Sequence, residues 1–194
     1  MTLNKQQETE QKTTKELASL CQVNARKCYQ CGKCTAGCPI AEYMDLTPNK
    51  IMHLVQLGLV EEAIKSKSIW LCATCSTCSV RCPKGLDIAH EMESLRILAK
   101  HKGIVQEKNI DKFHHVFLNS VKQNGRVYEV GLILGRNFTT GKIFRDATYG
   151  LPYLTKGKIT ILPDHVKNKK EIVQIFDRAE QVFKRETQKA GELV

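Results

Sequence analysis

Residues Lys27-Cys-Tyr-Gln-Cys-Gly-Lys-Cys-Thr-Ala-Gly-Cys-Pro39 and Ile69-Trp-Leu-Cys-Ala-Thr-Cys-Ser-Thr-Cys-Ser-Val-Arg-Cys-Pro83 carry one cysteine pattern twice. Cys28, Cys31, Cys34 and Cys38 recur as Cys72, Cys75, Cys78 and Cys82, each displaced by 44 positions, and a proline follows each set. Of the nine cysteines only Cys21 lies outside the repeat. The N-terminal stretch MTLNKQQETEQKTTKE has no apolar core and does not read as a secretory signal. Cysteines in such a chain are expected to bind metal rather than to form a disulfide framework.

The spacing Cys-x2-Cys-x2-Cys-x3-Cys-Pro is the bacterial-type run that holds [4Fe–4S] clusters. Three cysteines at three-residue intervals put three sulfurs inside one tight loop, and the inward N–H groups of that loop favour an anionic centre. Gly32 and Gly37 allow close backbone approach, and Thr35, Thr74, Ser76 and Thr77 are candidate hydroxyl donors. Where two such runs share a domain, the fourth cysteine of each serves the other run's cluster. The expected ligand sets are therefore Cys28, Cys31, Cys34 and Cys82 for cluster one, and Cys72, Cys75, Cys78 and Cys38 for cluster two. The competing reading is zinc, whose sites use paired ligands, four to a metal, and would leave thiolates spare.

Outside the runs the chain reads as helical. Thr47-Pro48 opens a helix with Ile51, Leu54, Val55 and Leu59 on one face, ending near Gly58. A short helix is expected through Glu61–Ser66, and Asp87 caps another that carries Met92, Leu95, Leu98 and Ala99 and stops near Gly103. Residues 109–123 and 168–189 complete the helical set. Past Gly125, the glycines at 131, 135, 141, 150 and 157 predict short pieces joined by turns. No period-2 alternation is sustained, so the fold class is mainly α. The expected organisation is a flexible tail over residues 1–16, a di-cluster domain over 17–103, and a helical and loop extension over 104–194 that docks to other subunits.

The formal charge is +10, from 30 Lys and Arg against 20 Asp and Glu. Arg26, Lys27 and Lys33 flank the first run, and Lys65, Lys67, Arg81 and Lys84 the second, with no acid among them. Positive charge beside an anionic cluster favours its reduced form. The basic stretches lack the interleaved aromatics of a nucleic-acid surface, and no segment approaches the roughly 20 apolar residues of a membrane span. His53 is expected to be partly buried, His114 and His115 to lie on a helix surface, Trp70 to pack over a cluster loop, and Cys21 to be a buried free thiol. No phosphate-binding glycine loop, nucleophile elbow or His-Glu-x-x-His motif is present, so no catalytic residue is expected.

Two cluster runs separated by helices resemble the α-helical ferredoxin module. The wording of both runs, together with Asp87-Ile88 and Gly125-Arg-Val-Tyr-Glu129, closely resembles the HdrC family, the iron–sulfur C subunits of heterodisulfide reductase. That resemblance implies a non-catalytic electron-transfer component of a cytoplasmic oxidoreductase. It would relay electrons through two [4Fe–4S] clusters from HdrA, which bears flavin and clusters, to HdrB, the catalytic partner. HdrB reduces the coenzyme M–coenzyme B heterodisulfide of methanogenesis, in soluble complexes that bifurcate electrons. A hydrogenase or formate dehydrogenase would join through HdrA. The chain has no Cys-Cys pair of the kind that holds the clusters of HdrB. The alternatives are a relay component of a related anaerobic oxidoreductase and a free two-cluster ferredoxin.

Overall fold

The structure, a computed structural model, describes the chain except Met1, Gln22, residues 142–161, His165 and residues 193–194. The described residues form helices α1 (Thr2–Leu20), α2 (Lys33–Ala36), α3 (Pro48–Leu57), α4 (Val60–Ile64) and α5 (Ser68–Leu71). After these come α6 (Thr77–Val80), α7 (Ile88–His101), α8 (Lys108–Asn124), α9 (Glu129–Thr140) and α10 (Lys169–Glu192). Two 3-10 turns, Ala25–Lys27 and Ala41–Tyr43, flank the first cysteine run. No strand occurs among the described residues, in agreement with the mainly α expectation. The chain divides into two compact units, Met1–Glu107 and Lys108–Val194.

In the first unit the expected helices form for the expected reasons. Pro48 occupies the first turn of α3, where its missing N–H costs nothing, and Gly58 ends the helix in left-handed backbone at φ 75°. The Asp87 carboxylate accepts the backbone N–H of His90 and caps α7. Ile51, Met52, Val60, Ile64, Ile69, Trp70, Met92 and Leu95 are all enclosed, so α3, α4, α5 and α7 share one core. Burying such a set at about 1.5–3 kcal/mol per large side chain is the main stabilising term.

The tail expected over residues 1–16 is instead the greater part of α1, which packs on α4 and α7. Its docking is largely polar, which is why apolar periodicity does not reveal it. Leu17 is buried, but the other anchors are Thr13, whose hydroxyl bonds Glu61 Oε1 at 2.5 Å, and Glu10, which accepts the Glu61 backbone N–H at 2.9 Å. Lys102 of α7 closes the group, with its Nζ 2.9 Å from Glu61, 3.2 Å from Glu16 and 2.7 Å from the Thr13 hydroxyl.

In the second unit α8 packs on both α9 and α10. The short pieces expected after Gly125 are, as far as Gly141, the continuous helix α9. Its glycines serve packing: a Cβ on Gly135 would lie 2.7 Å from Val116 Cγ1 of α8, so only glycine permits that approach. Gly150 and Gly157 lie outside the described residues. Lys122 ties α8 to α10 through Asp177 at 2.9 Å and Glu180 at 3.2 Å.

Replacing Lys102 with alanine should cost about 1–3 kcal/mol, because Glu61, Glu16 and Thr13 lose a shared partner in a half-buried setting. Burial raises the Glu61 pKa, but Thr13 and Lys102 outweigh it and hold the carboxyl below its usual value. Burial lowers the Lys102 pKa, and its two carboxylates more than reverse that. The Glu61 contribution is thus present above the ordinary carboxylate pKa and lost as pH falls through the depressed folded value. The Lys102 contribution is present below the ordinary lysine pKa and lost as pH rises through the elevated one. Denaturant titrations of the wild-type and variant proteins should differ most at neutral pH and converge toward both extremes.

Candidate metal centre

The two cysteine runs fold alike. Each places its last two repeat cysteines around a single helical turn, α2 in the first run and α6 in the second, and these two turns pack against each other. Ala36 N–H bonds Gly32 O at 3.0 Å and Val80 N–H bonds Ser76 O at 3.0 Å; Cys38 N–H bonds Thr35 O and Cys82 N–H bonds Ser79 O. Left-handed backbone falls at Gln30 (φ 59°) and Gly32 (φ 75°) in one run, and at Thr74 (φ 48°) and Ser76 (φ 59°) in the other. These are the same two positions, 44 residues apart. Only one of the four is glycine, and a non-glycine residue pays about 1–2 kcal/mol for this region. Such backbone persists where its surroundings over-determine it, and successive left- and right-handed residues turn N–H groups into an anion-binding concavity.

A second repeat, at a spacing of 40, runs through the supporting helices. Thr35 Oγ1 accepts the backbone N–H of Asn49 at 3.1 Å, and Ser79 Oγ accepts that of Ala89 at 3.0 Å, so each run caps the helix that follows it. Farther along those helices, Gln56 Nε2 donates to Cys28 O at 2.6 Å and Arg96 donates to Cys72 O at 2.6 Å. Met52 and Met92 sit at equivalent, fully enclosed positions. Thr35, one of the candidate donors toward a cluster, bonds Asn49 Oδ1 at 2.6 Å instead.

The eight repeat cysteines are all free thiols. The second of each run, Cys31 and Cys75, is exposed; Cys34 is buried and the others are intermediate. One apolar recess is lined by Cys72, Cys75 and Cys78 together with Cys38 from the other run, and by Met92. Cys34 belongs to a small core with Ala25, Met52, Leu86 and Ile88, against which Cys28, Cys78 and Cys82 pack. Tyr29 is exposed, stands within the fields of Cys31, Cys82 and Cys28, and carries Lys84 Nζ 5.7 Å above its ring. Among the described residues no three His, Cys, Asp or Glu side chains gather as they would on a single metal ion.

Burial pushes the Cys34, Cys72 and Cys78 thiols up. At Cys72 the Thr74 backbone N–H and the Arg96 cation oppose it. Cys75 is lowered by the Thr77 hydroxyl and backbone N–H. The donors around the sulfurs favour thiolate, the form an iron centre takes up, while the burial that opposes it is relieved by a bound cation. The residues present fit a pair of iron–sulfur clusters on that account.

Cys21 is buried, as expected, with its thiol 3.2 Å from Glu91 Oε2 on α7. Burial pushes its pKa up to about 11, which makes it inert. His53, expected to be partly buried, is exposed on α3. His115 is exposed, 3.6 Å from Asp111, and Trp70 lies in the core.

Residues 27–87 match the family described as 4Fe-4S dicluster domain. Over 81 residues the chain is 44% identical to the iron-sulfur C subunit of CoB–CoM heterodisulfide reductase from Methanopyrus kandleri, 42% of each chain being covered. Over 112 residues it is 34% identical to the second such C subunit of Methanocaldococcus jannaschii, covering 57% of this chain and 60% of the relative. This chain resembles HdrC. A third HdrC relative, the C2 component of the H2/formate:CoB-CoM heterodisulfide,ferredoxin reductase of Methanococcus maripaludis, is 37% identical over 89 residues, 46% of this chain and 45% of that one. The matches span about half the length of these HdrC relatives. The resemblance read from the two cysteine runs thus holds.

Asp45, which sequence reasoning passed over, joins the runs. Its carboxylate accepts the Ser66 and Ser68 hydroxyls and the backbone N–H groups of Leu46, Lys67 and Ser68, at 2.5–3.0 Å. These bonds fasten the segment after the first run to the start of α5, which Cys72 immediately follows as its C-cap. Burial raises the Asp45 pKa, but the donors outweigh it and hold the carboxyl far below the usual range. Replacing Asp45 with alanine should cost about 1–2 kcal/mol, discounted for partial exposure. Because the folded pKa is depressed, the loss should be full at neutral pH and fade only as pH falls below the ordinary carboxylate range. Acid-range denaturation curves of the two proteins check both points.

Proposed function

We propose that the chain is the electron-transfer component of a heterodisulfide reductase, with two [4Fe–4S] clusters in its first unit and a docking element in its second. The recess that joins Cys38 to Cys72, Cys75 and Cys78 carries this reading, because it is the composition that crossed ligation requires. Cys28, Cys31, Cys34 and Cys82 would hold the other cluster; Cys82 packs, as do Cys28 and Cys78, on the small core that contains Cys34. Two runs of three evenly spaced cysteines with a fourth before proline suit four-iron clusters, where each thiolate binds a different iron, better than zinc, whose sites use paired ligands.

When bound, such clusters accept and release single electrons. The chain's own residues then hold the sulfurs in two rigid loops, direct backbone N–H groups at them, and exclude water on the Cys34 side. The exposed Cys31 and Cys75 leave one edge of each loop near the surface, where partners can approach. The partners proposed are the flavin-bearing HdrA as donor and HdrB, which carries the heterodisulfide site, as acceptor. No described helix is long and apolar enough to cross a membrane.

The second unit favours a fixed component of a complex over a free ferredoxin. Leu118 of α8, Ile133, Leu134 and Phe138 of α9, and Ile175 and Val182 of α10 are exposed apolar side chains of the kind a partner covers.

Anaerobically prepared protein should contain about eight iron and eight acid-labile sulfide per chain, as two [4Fe–4S] clusters require; four of each in a fully loaded sample would leave only one. Replacing Cys82 with serine should perturb the cluster of Cys28, Cys31 and Cys34, read by electron paramagnetic resonance. Selective loss of the Cys72–Cys78 signal would reverse the pairing.

A further inference from the structure

The two loops of the first unit match in left-handed backbone, in capping hydroxyl and in buried methionine, and they differ in charge at two supporting contacts. The hydroxyl donates to neutral Asn49 from Thr35 but to the Asp87 carboxylate from Ser79. The second difference lies at the first cysteine. The carbonyl of the first cysteine in each run accepts a hydrogen bond from the helix behind it. At Cys28 the donor is the neutral amide of Gln56; at Cys72 it is the guanidinium of Arg96. Gln56 is itself held by Gln30, whose Nε2 donates to its Oε1 at 2.8 Å. Arg96 uses a second N–H on Ile69 O at 2.7 Å, so its planar group is fixed at two points. Both of its bonds go to neutral carbonyls, and among the described residues no carboxylate forms an ion pair with it. Its full positive charge therefore remains, in a half-buried position.

We infer that Arg96 sets the two clusters apart, stabilising the reduced form of the one that Cys72 helps to hold, so that an electron entering this chain comes to rest on that side. The inference rests on the proposed two-cluster reading and adds to it which cluster is the better acceptor, and why. A cation favours the added negative charge of a reduced cluster, and it does so more strongly where water screens it less. The first run has cations as well, but Arg26, Lys27 and Lys33, and the second run's Lys84 above Tyr29, are all exposed. Exposed charges act through solvent and are damped by salt over roughly 8–10 Å, whereas a half-buried guanidinium keeps more of its effect. Arg81, an exposed cation of the second run, lies against Gly37 of the first and so acts on both halves. Asp87 is exposed, so its opposing charge on the second half also acts through solvent, and the Gln56 and Arg96 positions are the half-buried contact where the halves differ in charge.

Arg96 is a positioning residue as well as a charge, so the test separates the two roles. The full-length, cluster-loaded protein is titrated potentiometrically, with each cluster followed by electron paramagnetic resonance, in roughly 0.5 M salt to suppress the surface lysines. In R96Q one couple should move to lower potential, its reduced-to-oxidised ratio at a fixed poise falling about tenfold, which is about 59 mV for one electron. The other couple should stay in place. In Q56R that second couple should move the opposite way, since the missing cation is then supplied behind Cys28. R96K keeps the charge and loses the planar fork, and should retain most of the wild-type potential. Equal shifts of both couples in R96Q, or none, overturn the inference. So does an R96K protein that behaves like R96Q, which would leave Arg96 a structural clamp alone. Protein with no iron would instead take down the two-cluster reading; brown protein with two couples indifferent to residues 56 and 96 defeats this inference and leaves that reading standing.

Discussion

Left-handed backbone at Gln30, Gly32, Thr74 and Ser76 is the constraint around which the first unit is organised. Three of these residues carry a side chain that disfavours the conformation, and Thr74 is β-branched, the least tolerant kind. Loops bent in this way cannot hold themselves. Each is tied down at two points by the helix that follows it: its hydroxyl, Thr35 or Ser79, meets that helix's first turn, and its first cysteine carbonyl meets a donor farther along. Helices α3 and α7 are therefore the frame, and the hydrophobic core that joins them exists in large part to keep the loops in register.

The same frame explains the polar edges of the unit. Asp45 draws five donors onto one carboxylate and spans the gap between the runs, where the chain has little apolar material to pack. Lys102 does the equivalent work on the opposite helix end, securing α1 through Glu16, Glu61 and Thr13. Neither group is fully buried, so neither carries the large desolvation cost of an enclosed ion pair. Both are suited to positioning: they fix direction and register, while apolar burial supplies most of the free energy.

On the proposed two-cluster reading, duplicated architecture with unequal charge gives two unequal couples. Identical halves would give two identical couples and no preferred resting place. Small departures from the repeat, such as Gln56 opposite Arg96 and Tyr29 opposite Ala73, leave the backbone unchanged and alter the field around each loop. Exposed Cys31 and Cys75 bring one cysteine of each loop to the surface.

The sequence by itself determined the cysteine repeat, the cluster chemistry it implies, the family resemblance, and the helices with an apolar face or a capped end, because those signals are local. It concealed the second repeat. Pro48 lies ten positions after Cys38 and Ile88 only six after Cys82, so the supporting helices are 40 apart while the loops are 44 apart, and the match of Thr35 and Gln56 with Ser79 and Arg96 slips out of step. It concealed α1, whose anchors Glu10, Thr13 and Glu16 read as a solvated tail until Glu61 and Lys102 are seen beside them. It misjudged α9, since Gly131 and Gly135 look like breakers and prove to be points of close approach. Only the tertiary structure decided which side chains meet across the fold. Hydrogen bonds and close packing between distant residues leave no periodic trace along the chain.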